Sequence, residues 1–180
     1  MQIDVDELRL RPWRPTDLDA VWAALQDPAV RLWNGSGASS LEEATQWLAR
    51  RSEGEGHVSR AVVARADGGL LGSVSLHSID PVQLDAEVGY WVVPAARGRR
   101  VAPRVVDAVC RWAFAELGLD RVVLAHAVEN PASGRVAARA GFTLEGRLRR
   151  SYRFGDGVKH DELLWSRLSD DPGPGNPSTP

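Results

Sequence analysis

The amino-acid sequence predicts an α/β domain with a mixed, largely antiparallel sheet. Three observations support this class. Short apolar runs alternate with longer segments in which apolar residues recur at helical spacing. Three consecutive short runs in the middle of the chain are separated by turn residues, which predicts an antiparallel meander. Two helical segments then separate the remaining strands, so the predicted order is βααβββαβαββ, with about seven strands and four helices.

The first part of the chain contains one strand and two helices. A strand is predicted by "LRLRPW" (8–13), which alternates apolar and basic residues and ends near Pro12. A helix is predicted by "TDLDAVWAALQD", with Thr16 as its N-cap and acidic residues in its first turn. A second helix follows in "SSLEEATQWLARR", with Ser39 or Ser40 as cap, glutamates early and arginines late.

The second part supplies the meander, two more helices and the remaining strands. Two strands are predicted in "SRAVVARADGGLLGSVSLHSI", joined by the turn Asp67-Gly68-Gly69, and a third in "AEVGYWVV". A long helix, "APRVVDAVCRWAFAELGL", ends at Gly118 and is followed by the strand "RVVLAHAV". A short helix, "PASGRVAARA", ends at Gly141 and precedes the terminal strands "FTLEGRLRRSY" and "KHDELLWSRL".

Composition limits the classes of protein that this chain can represent. The 180 residues suit one domain, predicted over 1–168, while the Pro-, Gly- and Ser-rich residues 169–180 predict a disordered tail. A net charge of -2 argues against a general nucleic-acid partner. The N-terminus lacks the features of a signal peptide and no apolar run has membrane-spanning length, which predicts a cytoplasmic protein with no membrane partner. The histidines are scattered and there is one cysteine, so no metal site is predicted.

One stretch of the sequence, "EVGYWVVPAARGRRVAPRVV" (87–106), changes from a strand to a basic turn and then to a helix. A strand that leads into a helix N-terminus presents unpaired N–H groups and the positive end of the helix dipole, which together favour anions. Gly98 would allow a pyrophosphate to approach closely, and Arg97, Arg99 and Arg100 could contact it. The alternative is that these arginines form a solvated surface. Because GxxxxGK[ST] and GxGxxG motifs are absent, ATP and NAD are poorer ligands.

The elements around this turn carry a family resemblance. The segment "AEVGYWVVPAARGRRVAPRVV", followed by "VENPASGRVAARAGFTLEGRLR", closely resembles the GNAT family of N-acetyltransferases and, within it, the RimJ/RimL-like branch. The resemblance covers nearly the whole ordered chain, from "LRLRPW" to "HDELLWSRL". It implies the GNAT fold, acetyl-CoA as the acyl-donor cosubstrate and no metal. Direct transfer to an amine without an acyl-enzyme is favoured, because the single cysteine, Cys110, is predicted to be buried and inert.

The resemblance also implies which residues contact the cofactor. The pyrophosphate loop of the family has Gln or Arg, two residues, Gly, one residue, then Gly or Ala. Arg97 and Ala102 match this pattern, whereas Arg100 stands at a glycine position, where a side chain is expected to require a negative φ. Asn130 and Ser133 match an Asn-x-x-Ser segment, although Asn130 is also a good N-cap. The implied contacts are Val92, Val93, Arg97, Gly98, Arg99, Arg100, Val101, Ala102, Asn130 and Ser133.

Three residues are candidates for proton transfer. By resemblance, Glu87 lies where many relatives have a general base; a working base should be partly buried with a raised pKa. Otherwise Glu87 is a salt-bridged residue at a strand end. Ser133 and Tyr152 are alternative acids for the leaving thiolate. The other interpretation of Ser133 is a capping or solvated residue in the first turn of its helix. Tyr90 should face the side of the sheet opposite Glu87.

Acceptor binding is predicted for Trp33 and Asn34, because "VRLWNGSGASS" resembles the polar loop that forms the acceptor side in this family. Packing of Trp33 against the second helix is the alternative. Cys110 is predicted to be a buried, inert thiol. Four further arginines could attract an acidic substrate or a succinyl group, or could form a solvated edge strand; they are Arg147, Arg149, Arg150 and Arg153.

The predicted function is transfer of an acetyl group from acetyl-CoA to a primary amine, with a protein N-terminal α-amino group as the preferred acceptor. A small-molecule amine, such as a polyamine, an amino acid or an antibiotic, is the alternative acceptor, and succinyl-CoA is the alternative donor. A non-catalytic acyl-CoA-binding domain is the alternative from another class, and Arg100 favours it. The sequence does not select between a monomer and a homodimer.

Overall fold

The computed structural model describes residues 1–34, 37–52 and 56–174. Residues 175–180 of the predicted tail lie outside the described residues, as do residues 35 and 36 of the predicted polar loop. The tail's first residue, Ser169, donates its backbone N–H to the carbonyl of Asp120 at 2.9 Å. Within the described ranges, the helices are all too short or too polar to cross a membrane.

The described residues form eight strands and five α-helices. The strands are β1 Ile3–Val5, β2 Leu8–Arg11, β3 Val58–Ala64, β4 Leu70–Asp80, β5 Asp85–Val92, β6 Arg121–Ala127, β7 Thr143–Arg153 and β8 Lys159–Leu168. The helices are α1 Leu18–Leu25, α2 Pro28–Asn34, α3 Leu41–Ser52, α4 Val101–Glu116 and α5 Pro131–Arg139.

The strands form a single sheet in the order β1-β2-β3-β4-β5-β6-β8-β7. Neighbouring strands are antiparallel except β5 and β6, which are parallel and connected through α4. β5 and β6 pair only where Asp85–Glu87 lies beside Arg121–Val123, and they then diverge. The mixed, largely antiparallel sheet confirms the predicted fold class.

Helices cover both faces of the sheet. On one face, α4 packs Val105 and Val109 against core residues of the strands. On the other face, Trp13, Trp47 and Trp91 contact one another beside α1 and α3. Side chains alternate along β5, so that Tyr90 packs towards α4 while Trp91 packs on the opposite face. Glu87 is four residues before Trp91 and therefore faces the same side of the sheet. Tyr90 faces the opposite side, as predicted.

Two elements add to the predicted order. β1 pairs with β2 through a tight turn at Asp6, whose φ is 52°. It is only three residues long, too short for a clear alternating pattern. α2 occupies part of the predicted polar loop; Asp27 Oδ1 accepts the N–H groups of Ala29 and Val30, and Pro28 begins the helix.

The predicted caps and turns agree with the structure except at Thr16. Ser40 Oγ accepts the N–H of Glu43 at 3.2 Å at the start of α3, and Gly68 takes a positive φ of 75° in the β3–β4 turn. Thr16 is not an N-cap, because it lies inside the 3₁₀ helix Pro15–Asp17 that precedes α1.

Candidate active site

The divergence of β5 and β6 opens a cleft of about 1070 Å³ in the sheet. Beyond Glu87 and Val123 the two strands do not pair, so backbone groups on their facing edges lack strand partners. α4, α5 and the loop before α4 border one end of the cleft, here called the cofactor end. α2 and the β7–β8 hairpin border the other end, here called the acceptor end.

The cofactor end contains the N-terminus of α4, which no side chain caps. Gly98, in the preceding loop, has a φ of 76°, and a Cβ there would meet nothing within 4 Å. Val101 and Ala102, the first two residues of α4, line the cleft. Because a helix N-terminus carries partial positive charge and unpaired N–H groups, this end suits an anion.

Arginines strengthen the positive character of the cofactor end. Arg97 has a second role, since its guanidinium pairs with Asp27 Oδ1 at 2.5 Å and donates to the carbonyl of Val92 at 3.2 Å. Arg99, in contrast to the prediction, does not line the cleft. The arginines that do line it are Arg97, Arg100, Arg135 and Arg139.

The backbone of Arg100 differs from the sequence-based expectation. Its φ is 57° and its ψ is 26°, in the left-handed region, whereas a side chain was expected there only with a negative φ. This conformation costs a non-glycine residue about 1–2 kcal/mol. Arg100 therefore adopts the left-handed backbone conformation that favours glycine. The replacement of the motif glycine by arginine does not change the backbone conformation at this position.

The two valines at the end of β5 have different environments. Val92 lines the cleft, as predicted. Val93 donates its N–H to the carbonyl of Leu71 at 2.9 Å and accepts the N–H of Ala96 at 2.9 Å. Because β4 and the following turn use both backbone groups of Val93, these groups are not free to bind a cofactor, and the predicted contact at Val93 is corrected.

Asn130 and Ser133 lie at the start of α5, beside the gap. Asn130 caps the helix, because its Oδ1 accepts the N–H of Ser133 at 3.4 Å. The hydroxyl of Ser133 lies 2.7 Å from that of Tyr90, and all three side chains belong to residues that line the cleft. Burial raises the pKa of Tyr90 to about 12, although its hydrogen bond with Ser133 acts in the opposite direction. Tyr90 is therefore protonated at neutral pH.

Glu87 lies on β5 at the point where β5 and β6 separate, and it lines the cleft. Its side chain is 40% exposed, and its Oε2 lies 3.9 Å from Nδ1 of His77. Burial raises the pKa of Glu87. Burial, and then the charge of Arg51, lower the pKa of His77, so its imidazole is mainly neutral at neutral pH. Glu87 thus has the partial burial and raised pKa expected of a general base.

Trp33 lies on α2 at the acceptor end and not in a loop. Its ring packs edge-on against Phe154 and His160, with centroid distances of 5.6 and 6.2 Å. Tyr152 packs against Phe154 at 5.0 Å and is 50% exposed. Trp33, Asn34 and Tyr152 all line the cleft, so the structure brings these predicted residues together. The suggested packing of Trp33 on the second helix is replaced by packing on the β7–β8 hairpin.

A close backbone contact joins α2 to this hairpin. Gly155 donates its N–H to the carbonyl of Leu32 at 2.9 Å. A Cβ at Gly155 would overlap the carbonyl oxygen of Arg31, so the approach of the two segments requires glycine. The position of Trp33 therefore depends on a residue in the β7–β8 turn.

Glu162, on β8, is a second carboxylate in the cleft. It is 8% exposed, and Ser151 Oγ donates to its Oε2 at 2.7 Å. Burial raises the pKa of Glu162, and the hydrogen bond from Ser151 lowers it. The negative charge of Glu87 raises this pKa further, while nearby His126 lowers it. Glu87 and Glu162 are thus two carboxyl groups of the cleft whose pKa is raised by burial.

Two other sequence features lie outside the cleft. Cys110 is fully buried and burial raises its pKa to about 12, as the interpretation of an inert thiol requires. In the β7 arginine cluster, Arg147 pairs with Asp161 at 2.7 Å. The four members of this cluster do not line the cleft; they are Arg147, Arg149, Arg150 and Arg153.

Comparisons with known proteins agree with this geometry. A family model described as "Acetyltransferase (GNAT) domain" matches residues 7–143. The chain is 37% identical over 102 residues to YdaF of Bacillus subtilis, whose name describes a ribosomal N-acetyltransferase, covering 57% of this chain and 55% of YdaF. It is 34% identical over 102 residues to the ribosomal-protein-serine acetyltransferase of Escherichia coli, covering 56% of each chain.

A third similarity is to the spermidine N(1)-acetyltransferase of Vibrio cholerae, 32% identical over 89 residues, covering 49% of this chain and 51% of that protein. The chain thus aligns with about half the length of these curated relatives. A crystal structure of a GNAT-family acetyltransferase from Bacillus anthracis superposes with a TM-score of 0.85, at 21% identity, covering 95% of this chain and all of that one.

The chain belongs to the GNAT acetyltransferase family, whose model matches residues 7–143. Its relatives support the RimJ/RimL-like branch, so the predicted family and branch are confirmed. Members of this family use acetyl-CoA, and the cofactor end fits that ligand: an uncapped helix N-terminus and arginines suit its phosphates, and the unpaired strand edges suit its amide-containing arm.

Tyr90 and Glu162 are two polar residues of the cleft that sequence reasoning missed. Tyr90 was assigned only to a face of the sheet, although α5 follows β6 and its first turn was predicted to carry Ser133. The signal for their contact was therefore present in the order of elements. Glu162 had no such signal, because a single glutamate within "HDELLW" matches no motif and its burial depends on the packing of three strands.

Proposed function

We propose that this protein transfers the acetyl group of acetyl-CoA to a primary amine, and that its acceptor is a protein N-terminal α-amino group. The observation that carries this proposal is the arrangement of the cleft. A helix N-terminus lies at one end, and Glu87, a carboxylate with a raised pKa, lies at the point where β5 and β6 separate. Two similar proteins whose names refer to ribosomal acetylation support this choice of acceptor.

The cofactor end holds the donor in this proposal. Acetyl-CoA supplies an activated thioester when it is bound. The loop Arg97–Ala102 and the first turn of α4 bind its phosphates, while Val92 and Asn130 lie along its arm. These contacts hold acetyl-CoA and leave the acceptor end open for the amine. The main contribution of this part of the chain is therefore to orient the thioester.

The remaining residues handle protons. An ammonium acceptor must lose one proton before its nitrogen attacks the carbonyl carbon, and a second after the C–N bond forms and the C–S bond breaks. Glu87 accepts the first proton, directly or through water. The hydroxyl pair of Ser133 and Tyr90 donates one proton to the departing sulfur. The second proton from the nitrogen returns to this pair through water, so the one net proton released to solvent is the proton that Glu87 accepted. Tyr152, half exposed at the acceptor end, is the alternative donor.

A small-molecule amine is the second candidate acceptor. The similarity to a spermidine N(1)-acetyltransferase supports it, as do the carboxylates of Glu87 and Glu162 in the cleft. The β7 arginines that suggested an acidic substrate or a succinyl donor lie outside the cleft, so the described side chains give those alternatives no support.

The test is an acetylation assay with three acceptors: a peptide with a free N-terminus, the same peptide with a blocked N-terminus and one free lysine, and spermidine. Thiol release and mass spectrometry report turnover. We expect the free N-terminus to be acetylated fastest. Faster turnover of spermidine would instead support the second candidate. Calorimetric binding of acetyl-CoA without turnover of any acceptor would support the non-catalytic alternative, and a parallel assay with succinyl-CoA tests the donor.

A further inference from the structure

The fold pairs its shielded carboxylates with arginine. Asp17, Asp27 and Asp107 have side chains only 9 to 13% exposed, and each lies within 2.5 to 2.7 Å of a guanidinium nitrogen. Such pairing compensates the cost of removing a charge from water. A shielded carboxylate without a cation is therefore an exception in this protein.

Glu162 is such an exception. It is 8% exposed, and its hydrogen-bond partner, Ser151, is uncharged. Among the described residues, no arginine or lysine forms an ion pair with Glu162 or with Glu87, and both carboxylates line the cleft. The arginines that line the cleft belong to α5 or to the loop before α4, and among them Arg97 already pairs with Asp27. The cleft is consequently cationic where the donor binds and anionic where the acceptor enters.

We propose that Glu162 binds a second positive charge on the acceptor, so that the preferred substrate is an amine with another cationic group beside the one that is acetylated. This proposal rests on the proposed function and specifies its substrate class. It assigns Glu162 to recognition of the acceptor, and it leaves the role of general base to Glu87.

The balance of charge leads to this assignment. The reacting ammonium carries one positive charge, which Glu87 compensates. When Glu162 is ionised, its shielded charge has no arginine or lysine partner among the described residues, so a second cation on the acceptor would stabilise it. Aromatic rings of Trp33, Tyr152 and Phe154 line the same part of the cleft, and aromatic faces also attract cations.

Two kinds of acceptor carry the required pair of charges. An aliphatic diamine has two ammonium groups on one short chain. A peptide with a basic side chain next to its free N-terminus has the same two charges in a larger molecule. The shared chemistry is a primary amine with a second cation, and matched probes distinguish the two sources.

The experiment compares wild type with Glu162→Gln on two probe pairs, each differing by one charge. The first pair is putrescine and butylamine; the second is a peptide beginning Ala-Lys and one beginning Ala-Gln. Gln keeps an oxygen that can accept from Ser151, so the fold is expected to persist. We expect KM for the doubly charged member of the pair that is turned over to rise about tenfold, kcat to change less than about threefold, and the singly charged member to be little affected.

A readout without turnover accompanies the kinetics. Calorimetric titration of the doubly charged probe in the presence of coenzyme A should show the same loss of affinity. Glu116→Gln removes an equivalent charge from an exposed site outside the cleft, and it should change neither quantity. Thermal melting of each variant checks that the fold is retained.

Three results would overturn the proposal. The first is no preference of the wild type for the doubly charged member of either pair. The second is an equal effect of Glu162→Gln on both members of a pair. The third is a fall in kcat with every acceptor, which would make Glu162 a proton acceptor. If wild type binds coenzyme A but acetylates no amine, the proposed function fails, and the titration with wild type and Glu162→Gln still reports whether Glu162 binds the cation.

Discussion

The two ends of the cleft are built in different ways. The cofactor end comes largely from one continuous segment, from the end of β5 through the loop to α4, and much of it is backbone. The acceptor end combines α2 with the β7–β8 hairpin, and it consists of side chains brought together from distant parts of the chain. The first arrangement is recognisable from local sequence, whereas the second depends on tertiary packing.

This difference suggests a division of roles. A backbone-lined loop at a helix N-terminus binds phosphate in many sequence contexts. Side chains on separate elements set the shape and charge of a pocket, and they can change independently of that loop. Substitutions at one end should therefore affect mainly donor binding, and substitutions at the other mainly acceptor binding.

The largest expected effect is at Glu87, which lies where the two ends meet. Glu87→Gln should lower kcat by about 100-fold or more, because general-base catalysis contributes about that much. Acetyl-CoA affinity, measured by calorimetry, should change less than about threefold. The wild-type kcat/KM should also rise with pH through a pKa above the ordinary value of glutamate, since the ionised form is the base. A variant with nearly full activity would exclude Glu87 as the base.

The next effect tests the hydroxyl pair beside the gap. Tyr90→Phe and Ser133→Ala should each lower kcat about tenfold, through loss of one hydrogen-bonding hydroxyl. The kcat of the double variant should be only slightly lower than that of the less active single variant, because the two hydroxyls act as a unit. Tyr152→Phe is the matched control at the acceptor end and should retain most activity. Greater loss with Tyr152→Phe than with Tyr90→Phe would make Tyr152 the acid.

Two glycine substitutions test the separation of the ends directly. Gly155→Ala should raise acceptor KM about tenfold by displacing α2 from the hairpin, with acetyl-CoA affinity nearly unchanged. Gly98→Ala should weaken acetyl-CoA binding about fivefold, because alanine disfavours a φ of 76° by about 1 kcal/mol. Each variant serves as the control for the other. Equal effects of both on donor and acceptor would contradict the division of roles.

The smallest effect concerns His160, which packs against Trp33 at the acceptor end. A hydrogen bond with Asp156 and an interaction with Glu129 raise the pKa of His160, so its folded-state value lies above the unfolded one. The stabilisation is therefore complete below the unfolded pKa of about 6.5 and is lost as pH rises through the folded pKa. NMR titration of imidazole protons should give His160 a higher pKa than His77, whose pKa is lowered by burial. The reverse order would contradict these contacts.

The sequence allowed the fold class and most of the cofactor end to be predicted, because periodicity, caps and the turn after β5 are local signals. It did not reveal α2 as a helix, although Asp27-Pro28 is a helix-start signal in retrospect. It also assigned the wrong backbone conformation to Arg100, since side-chain identity alone does not show that the loop requires a left-handed residue. Glu162 was beyond local reasoning, because its burial arises from the packing of β6, β7 and β8.

The separation of β5 and β6 has a consequence for how such a protein can change over generations. The groups exposed along the gap are peptide N–H and C=O groups, which every residue except proline carries in full. Most substitutions in these strands therefore leave that edge intact. Evolution can therefore change the side chains of α2 and the β7–β8 hairpin, and with them the amine that binds. The backbone groups that would bind the donor are retained.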